Sequence, residues 1–314
     1  MPPPRAAQKQ QPELPKRPSS ITILITAFLA WKTLLFAIAL GSTIGGKGYD
    51  TSTSLFFDLA YGPGTRLHFI AERLTRWDAI YFTHAAREGY VYEQEWAFGT
   101  GMALTIRKVS DLFRWAGVVP AGHDVGTEAV VGVAIANLSH YYAVMSMYRL
   151  TMVLSSNEKM AMLSGLLYII SPAGMFMCAP VAESSFSHLS LVGNWLFASS
   201  YHHPAGSLNR SVGIIIAGAV FGVSTTFRSN GLASGLLFAV EAARHLSSFF
   251  RGPSMSRFWA VAAPGIGGIL LSLGTIVPQY YAWKVYCGGP EGHLRPWCTS
   301  TIPSISTFVQ DYYW

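Results

Sequence analysis

Seven runs of apolar residues, each close to the length of a membrane-crossing helix, constrain this chain more than any other feature. They lie at about 21–41, 128–150, 160–178, 182–200, 211–227, 229–244 and 258–283. About twenty residues of helix reach roughly 30 Å, the hydrocarbon thickness of a bilayer, whereas a barrel strand needs about half that number. Lipid offers no hydrogen bonds to a bare backbone, so only helices or closed barrels cross it. The fold class read from these runs is an all-α, polytopic transmembrane bundle. Composition agrees. Charged residues make up 12% of the 314, about half the share of an average soluble domain. Mean hydropathy is +0.32.

Charge sets the expected topology. Residues 1–20, with Arg5, Lys9, Lys16 and Arg17 against Glu13, are too polar and proline-rich to build a core. They read as a disordered cytosolic tail, and the run from Ile21 reads as a retained anchor, opening a membrane domain over 21–314. The loop holding Arg244, Arg251 and Arg257 contains no acid and is the other cytosolic candidate. Alternation then places 151–159 and 201–210 in the cytosol. It places 42–127, 172–182, Arg228 to Gly231 and the loop 284–314 on the opposite, luminal side. The scheme requires that "FGTGMALTIRKVSDLFRWAGVVP" lie in the interface as an amphipathic helix. The glycosylation sequons at Asn137 and Asn209 fall in a span and a cytosolic loop, so both are expected to be unmodified. The net charge of +6 follows the ends of the apolar runs, and no basic strip with interleaved aromatics appears, so no nucleic-acid partner is expected.

Cys287 and Cys298 share one expected luminal loop with ten residues between them. A disulfide there is the expectation, because the lumen is oxidising; two free thiols are the alternative. His84, His140 and His188 stand alone, and no His with Asp or Glu at ligand spacing suggests a metal site. No glycine-rich phosphate loop or serine-nucleophile motif is present.

Polar residues gather in "RLTRWDAIYF", residues 73–82. Leu74, Trp77, Tyr81 and Ala85 fall at helical spacing, which predicts a short amphipathic helix on the membrane surface with Asp78 at its start. Thr75-x-x-Asp78 matches a capping box, in which the acid would serve the backbone. A carboxylate beside Arg76 and Trp77 at a membrane surface can also meet a lipid-linked substrate. Both readings stay open on the residues alone. Glu183 opens an apolar run and suits a helix N-terminus. Ser229 and Asn230 could cap the following helix.

"RWDAIYF" with "GYVYEQEWAF", then "SPAGMF" with "AESSF", then "FRSNGL", "RPWC" and "IPSISTFVQDYYW" occur in this order over residues 76–314. In that combination the chain resembles the GPI mannosyltransferase 2 (PIG-V) family. The resemblance implies a glycosyltransferase of the GT-C type in the endoplasmic reticulum membrane, needing no cofactor. Its donor would be dolichyl-phosphate mannose. Its acceptor would be a mannosyl-glucosaminyl-phosphatidylinositol, and it would add the second mannose of the GPI anchor in α-1,6 linkage by inverting displacement. Asp78 would be the general base, and Arg228 the cation favouring the departing phosphate; snorkelling to the headgroups is an equal alternative for Arg228. Arg76, Trp77, Glu93, Glu183 and Asn230 are the remaining binding candidates, with Glu95 beside Glu93. Two departures stand out. The family continues past the position of Trp314 with further spans, so this chain is expected to be shorter than its relatives. It also has "AFGTG" where the family tends to read "AFFP". Membrane lipids are expected partners, and a small membrane subunit stands as a candidate. A lipid or substrate transporter would show facing intramembrane charges and an internal repeat, and neither is seen. A non-catalytic subunit is the other alternative.

Overall fold

The computed structural model describes residues 18–42, 50–62, 69–119, 126–289 and 295–313. The tail expected over residues 1–20 therefore lies almost wholly outside the described residues. Within them the chain is helical: α1 (Ser20–Gly41), α2 (Ser52–Tyr61), α3 (Phe69–Leu74), α4 (Asp78–Glu88), α5 (Thr100–Trp115), α6 (Thr127–Ser155), α7 (Glu158–Ile169), α8 (Glu183–Ser200), α9 (Leu208–Phe227), α10 (Gly235–Arg251), α11 (Met255–Cys287) and α12 (Ile305–Tyr313). Short 3₁₀ turns cover Glu93–Ala97, Ser229–Ser234 and Pro296–Thr299. This is an all-helical polytopic membrane protein.

Four of these helices, α1, α6, α9 and α11, are long and apolar enough to cross a membrane. The other three apolar runs give shorter or more polar helices. α7 has 12 residues and is about 18 Å long, short of the hydrocarbon thickness. It stops at Ile169 and not near Cys178 because Pro172 disfavours helical backbone at Ser171 and cannot donate to the ladder. Residues 172–182 turn back instead. The run at 229–244 starts as a 3₁₀ turn, and α10 begins only at Gly235.

Small residues set how closely the long helices approach. A Cβ on Gly218 would lie 2.4 Å from the Gly267 Cα, and one on Gly274 would lie 2.0 Å from the Gly222 carbonyl oxygen. In lipid, association relies on such close backbone contact, since apolar side chains gain little by leaving the tails. Around this crossing, Phe197, Ile214, Ala217, Phe221, Phe238, Ala263 and Leu271 form a core. Ile269, Ile276 and Val277 of α11 stay exposed, as a lipid-facing surface requires.

The segment between α1 and α6 folds onto the bundle. Ala79, Phe82, Ala85 and Ala86 of α4 and Met102, Ala103 and Ile106 of α5 pack with Val131, Val181 and Phe227. α5 keeps Leu104, Leu112, Phe113 and Trp115 exposed, an apolar face fit for the interface. Two further contacts tie loops and helix starts together. Ser20 Oγ donates to Glu158 at 2.8 Å, joining the starts of α1 and α7. Ser256 Oγ donates to the Ala205 carbonyl at 3.1 Å, joining the α8–α9 and α10–α11 loops.

Candidate active site

The helix expected through Leu74, Trp77, Tyr81 and Ala85 is broken in the middle. Leu74 ends α3 and Asp78 begins α4. Between them Trp77 holds φ 51° and ψ −120°, and the Ala79 N–H donates to the Arg76 carbonyl at 3.0 Å. These are the angles of the first central residue of a type II′ turn, a position that favours glycine because a Cβ is crowded at positive φ. A tryptophan there stores strain on the order of 1–3 kcal/mol. The turn leaves Trp77 67% exposed and aims Asp78 off the helix end.

The capping box does not form. Trp77 occupies the N-cap without a side-chain bond, and Thr75 Oγ1 is enclosed with no partner. The Asp78 carboxylate is exposed, and no hydrogen bond or ion pair engages it among the described residues. It lines a cavity of about 530 Å³. The polar wall of that cavity comes from six separate segments: Asp78 from α4, Thr100 from α5, Glu183 from α8, Thr226, Arg228 and Asn230 from the end of α9 and the turn after it, Gln279 from α11, and Ser306 and Gln310 from α12. No residue of 151–159, 201–210 or 244–257 lines it.

Three binding candidates thus meet Asp78 in one space: Glu183, Arg228 and Asn230. Glu183 sits in the first turn of α8, and its Oε1 accepts from Arg228 Nη1 across 45 residues of sequence. Neither is buried: the side chains are 31% and 40% exposed. Glu183 Oε2 is enclosed and has no hydrogen-bond partner, an unfilled acceptor just behind the cavity surface. Neither Ser229 nor Asn230 caps α10, because its N-cap is Ser234 and no side chain closes it.

The other candidates stand around this cavity. Glu93 accepts from Trp297 Nε1 at 3.0 Å and pairs with Arg295 at 2.5 Å. It ties the 3₁₀ turn carrying Trp96 to the segment after Cys287. Cys287 and Cys298 are joined in a disulfide, with Cα atoms 5.6 Å apart. His84, expected to stand alone, bonds through Nδ1 to Glu95 Oε1 at 2.5 Å. Glu95 Oε2 accepts from the Val91 and Tyr92 N–H groups at 2.7 and 2.9 Å. Accepting the His84 hydrogen bond, the Glu95 carboxylate raises the imidazole above its ordinary pKa, against the effect of burial. The described residues hold no group of three or more His, Cys, Asp or Glu side chains that could share a metal.

Arg76 and Trp77 line a second space, a groove of about 270 Å³ with Leu74, Met175, Phe176, Ala179 and Val181. Arg73 and Asp50 complete its rim, and Asp78 is the one residue common to both linings. The far wall belongs to the turns after α7. Lys32, buried in α1, holds them by donating to the Met177 carbonyl at 2.9 Å and to Cys178 Sγ at 3.3 Å. Sequence reasoning missed Lys32, Arg73 and Gln279. A lysine near the middle of the first apolar run and a glutamine within the last one were the available signals, since lone polar groups in spans usually have a partner. Arg73 had no signal apart from its place in the motif.

Residues 64–314 match the family model described as Mannosyltransferase (PIG-V). The chain is 47% identical over 297 residues to the GPI mannosyltransferase 2 of Gibberella zeae, covering 94% of this chain and 67% of that protein. It is 40% identical over 320 residues to the protein of the same name from Chaetomium globosum, covering 93% and 68%. Against that from Aspergillus oryzae it is 35% identical over 320 residues, covering 97% and 68%. The chain therefore spans about two thirds of the length of these relatives. No solved structure matches it.

Proposed function

The chain belongs to the PIG-V family of mannosyltransferases, and from that premise we propose that it adds the second mannose of the GPI anchor in the endoplasmic reticulum membrane, with Asp78 as general base. The donor is dolichyl-phosphate mannose, the acceptor a mannosyl-glucosaminyl-phosphatidylinositol, and the new linkage α-1,6. The observation that carries this reading is the Asp78 carboxylate, free of protein partners on the wall of a polar cavity that holds an acid, a base and several amides.

A sugar hydroxyl is a poor nucleophile until its proton has somewhere to go. Asp78 takes that proton as the oxygen attacks the anomeric carbon. The bond from that carbon to the phosphate oxygen breaks with inversion, and its electron pair leaves on the phosphate. A positioned base is worth about 10²- to 10⁴-fold in rate. Glu183, part-exposed on the cavity wall, accepts from an acceptor hydroxyl. Arg228 holds that carboxylate in place, and Asn230 and Gln310 offer amides to the same sugar. The orientation these contacts impose fixes which hydroxyl faces Asp78.

The test is mannose transfer by the purified chain, with dolichyl-phosphate mannose and the singly mannosylated acceptor, for the parent and Asp78→Asn. Asparagine is close to isosteric but cannot take the proton. Transfer is expected to fall about 10²- to 10⁴-fold, with unchanged protein yield and melting temperature. Transfer at the parent rate by Asp78→Asn would remove the aspartate from the chemistry. No transfer by the parent itself would remove the proposed activity.

A further inference from the structure

We infer that the groove behind Trp77 holds the polyprenyl phosphate of the donor, with the Arg73 guanidinium as the group that receives the leaving phosphate. The inference rests on the transfer reading above and assigns the donor half of the same site.

The two spaces beside Asp78 differ in kind. The large cavity offers carboxylate, guanidinium, amide and hydroxyl groups, as a sugar acceptor needs. The groove offers aliphatic and aromatic walls from Leu74, Trp77, Met175 and Phe176, with Arg73 and Arg76 at its rim beside the carboxylates of Asp50 and Asp78. A polyprenyl phosphate has that same division into an apolar chain and one anionic head. Trp77, Met175 and Phe176 are 67%, 37% and 47% exposed, and the Trp77 and Phe176 rings lie with centroids 6.4 Å apart. In a membrane protein such an apolar pair at the mouth of a groove faces acyl chains, so a lipid tail enters from the bilayer without crossing water. The wall opposite Trp77 is held by Lys32 on the Met177 carbonyl, so the groove is a built feature of the packed chain.

The rim charges decide where the phosphate goes. Arg76 Nη1 already donates to the Asp50 carbonyl at 2.6 Å, and Asp50 accepts from the Ser52 N–H at 2.9 Å. Arg228 is committed to Glu183 in the other space. Arg73 has a weak partner, its chain neighbour Glu72, at 3.7 Å. It is the guanidinium most available to an anion. With the donor phosphate at Arg73, the anomeric carbon comes to Asp78, where the two spaces meet. The acceptor then approaches from the cavity and the phosphate departs into the groove, the opposed arrangement that inversion needs. The charges balance. The acceptor's proton moves to Asp78 and neutralises it, while the electron pair of the broken bond adds one negative charge to the phosphate. Negative charge thus shifts from Asp78 toward Arg73 during the step, and a fixed cation there favours the transition state over the bound donor.

The experiment uses the full chain in lipid nanodiscs and a dolichyl phosphate carrying a diazirine in its first isoprene unit. Photolysis and peptide mapping are expected to place the label within residues 73–77 or 175–181. In parallel, Arg73→Gln is expected to raise the donor KM about 10- to 100-fold, the worth of one charge-assisted hydrogen bond, and to lower kcat as well, because the lost cation served the transition state more than the bound donor. It should weaken inhibition by free dolichyl phosphate by the same factor and leave the acceptor KM alone, and Arg73→Lys should recover part of the loss. Label found only outside both segments, or an Arg73→Gln enzyme with parental donor KM and parental phosphate inhibition, overturns the assignment. The two readings separate cleanly. Label in the groove of a protein that transfers no mannose supports the groove and sinks the transfer activity. Transfer with a normal donor KM in Arg73→Gln does the reverse.

Discussion

Each end of α9 carries an arginine paired with a glutamate, and the two pairs differ in what surrounds them. At the start of the helix Arg210 Nη2 donates to Glu241 Oε1 at 2.5 Å. The side chains are 11% and 2% exposed. Tyr201 donates to the second oxygen at 2.6 Å, His245 approaches the first at 3.4 Å, and the guanidinium lies 4.0 Å over the Tyr201 ring. At the other end Arg228 meets Glu183 with far more exposure, one carboxylate oxygen has no partner, and Asp78 stands beside them. The closed pair clasps α8, α9 and α10; both Glu241 oxygens are engaged, the Arg210 Nε finds no partner among the described residues, and burial shuts the pair off from solvent. The open pair lies part-exposed on the wall of a cavity, beside the exposed Asp78 carboxylate. The lesson is that an ion pair at a helix end becomes a candidate site only when it borders a cavity that a ligand can enter, because a buried pair, filled or not, is out of a ligand's reach.

Substitutions should separate the two ends. The largest stability effect is expected at the closed one. Glu241→Ala leaves the Arg210 charge buried without its partner, and such a break destabilises by about 3–5 kcal/mol. Glu183→Gln, at the open end, should change stability by less than about 1 kcal/mol, as exposed pairs do, while raising the acceptor KM. Thermal unfolding in detergent and transfer kinetics on both variants check this. Equal destabilisation at the two ends would erase the distinction between them.

The next effect concerns the cross-link behind the open end. Arg295 and Trp297 fix Glu93, and the Cys287–Cys298 disulfide closes the loop that carries them. Cys298→Ser is expected to lower stability by about 3 kcal/mol on the chain-entropy account. It should also slow transfer, because the Trp96 wall of the cavity loosens, and should leave the closed end intact. Mass spectrometry of non-reduced peptides shows whether the bond is present. Full alkylation of both thiols without reduction would contradict it.

Strain supplies a smaller effect. Trp77→Gly removes the positive-φ penalty and adds some unfolded-state entropy, for a net gain of about 1 kcal/mol. It also removes the ring from the groove, so a higher melting temperature should accompany a higher donor KM. A variant that is less stable than the parent would mean that the ring contacts outweigh the strain.

The smallest effect is a pH dependence confined to the open end. The folded-state pKa of His84 is raised by the Glu95 carboxylate. The stabilisation from that pair is therefore fully present below the ordinary histidine pKa of about 6.5 and is lost as pH rises through the folded value. Melting temperature should fall across that window in the parent and stay flatter in His84→Gln. The same slope in both would place its origin elsewhere.

The sequence by itself determined the class of this protein. The length of its apolar runs requires membrane helices, since no other structure satisfies the backbone in lipid. Its motif order points to the family that the comparisons show. Asp78 could be singled out because its motif is local. Two helix limits were misread for the opposite reason. Hydropathy does not register the backbone restriction at Pro172 or the 3₁₀ turn before Gly235. Only the tertiary structure decided which charges were free. The ordering of Arg210 on Glu241 and of Arg228 on Glu183 depends on partners 31 and 45 residues away. The approach that joins them runs through glycine contacts such as Gly218 on Gly267. The same holds for Trp77, whose positive φ splits a continuous helical pattern into two helices. Periodicity records which face of a helix is apolar. It carries no information about which distant chain meets that face, and here that meeting separates a filled ion pair from an open one.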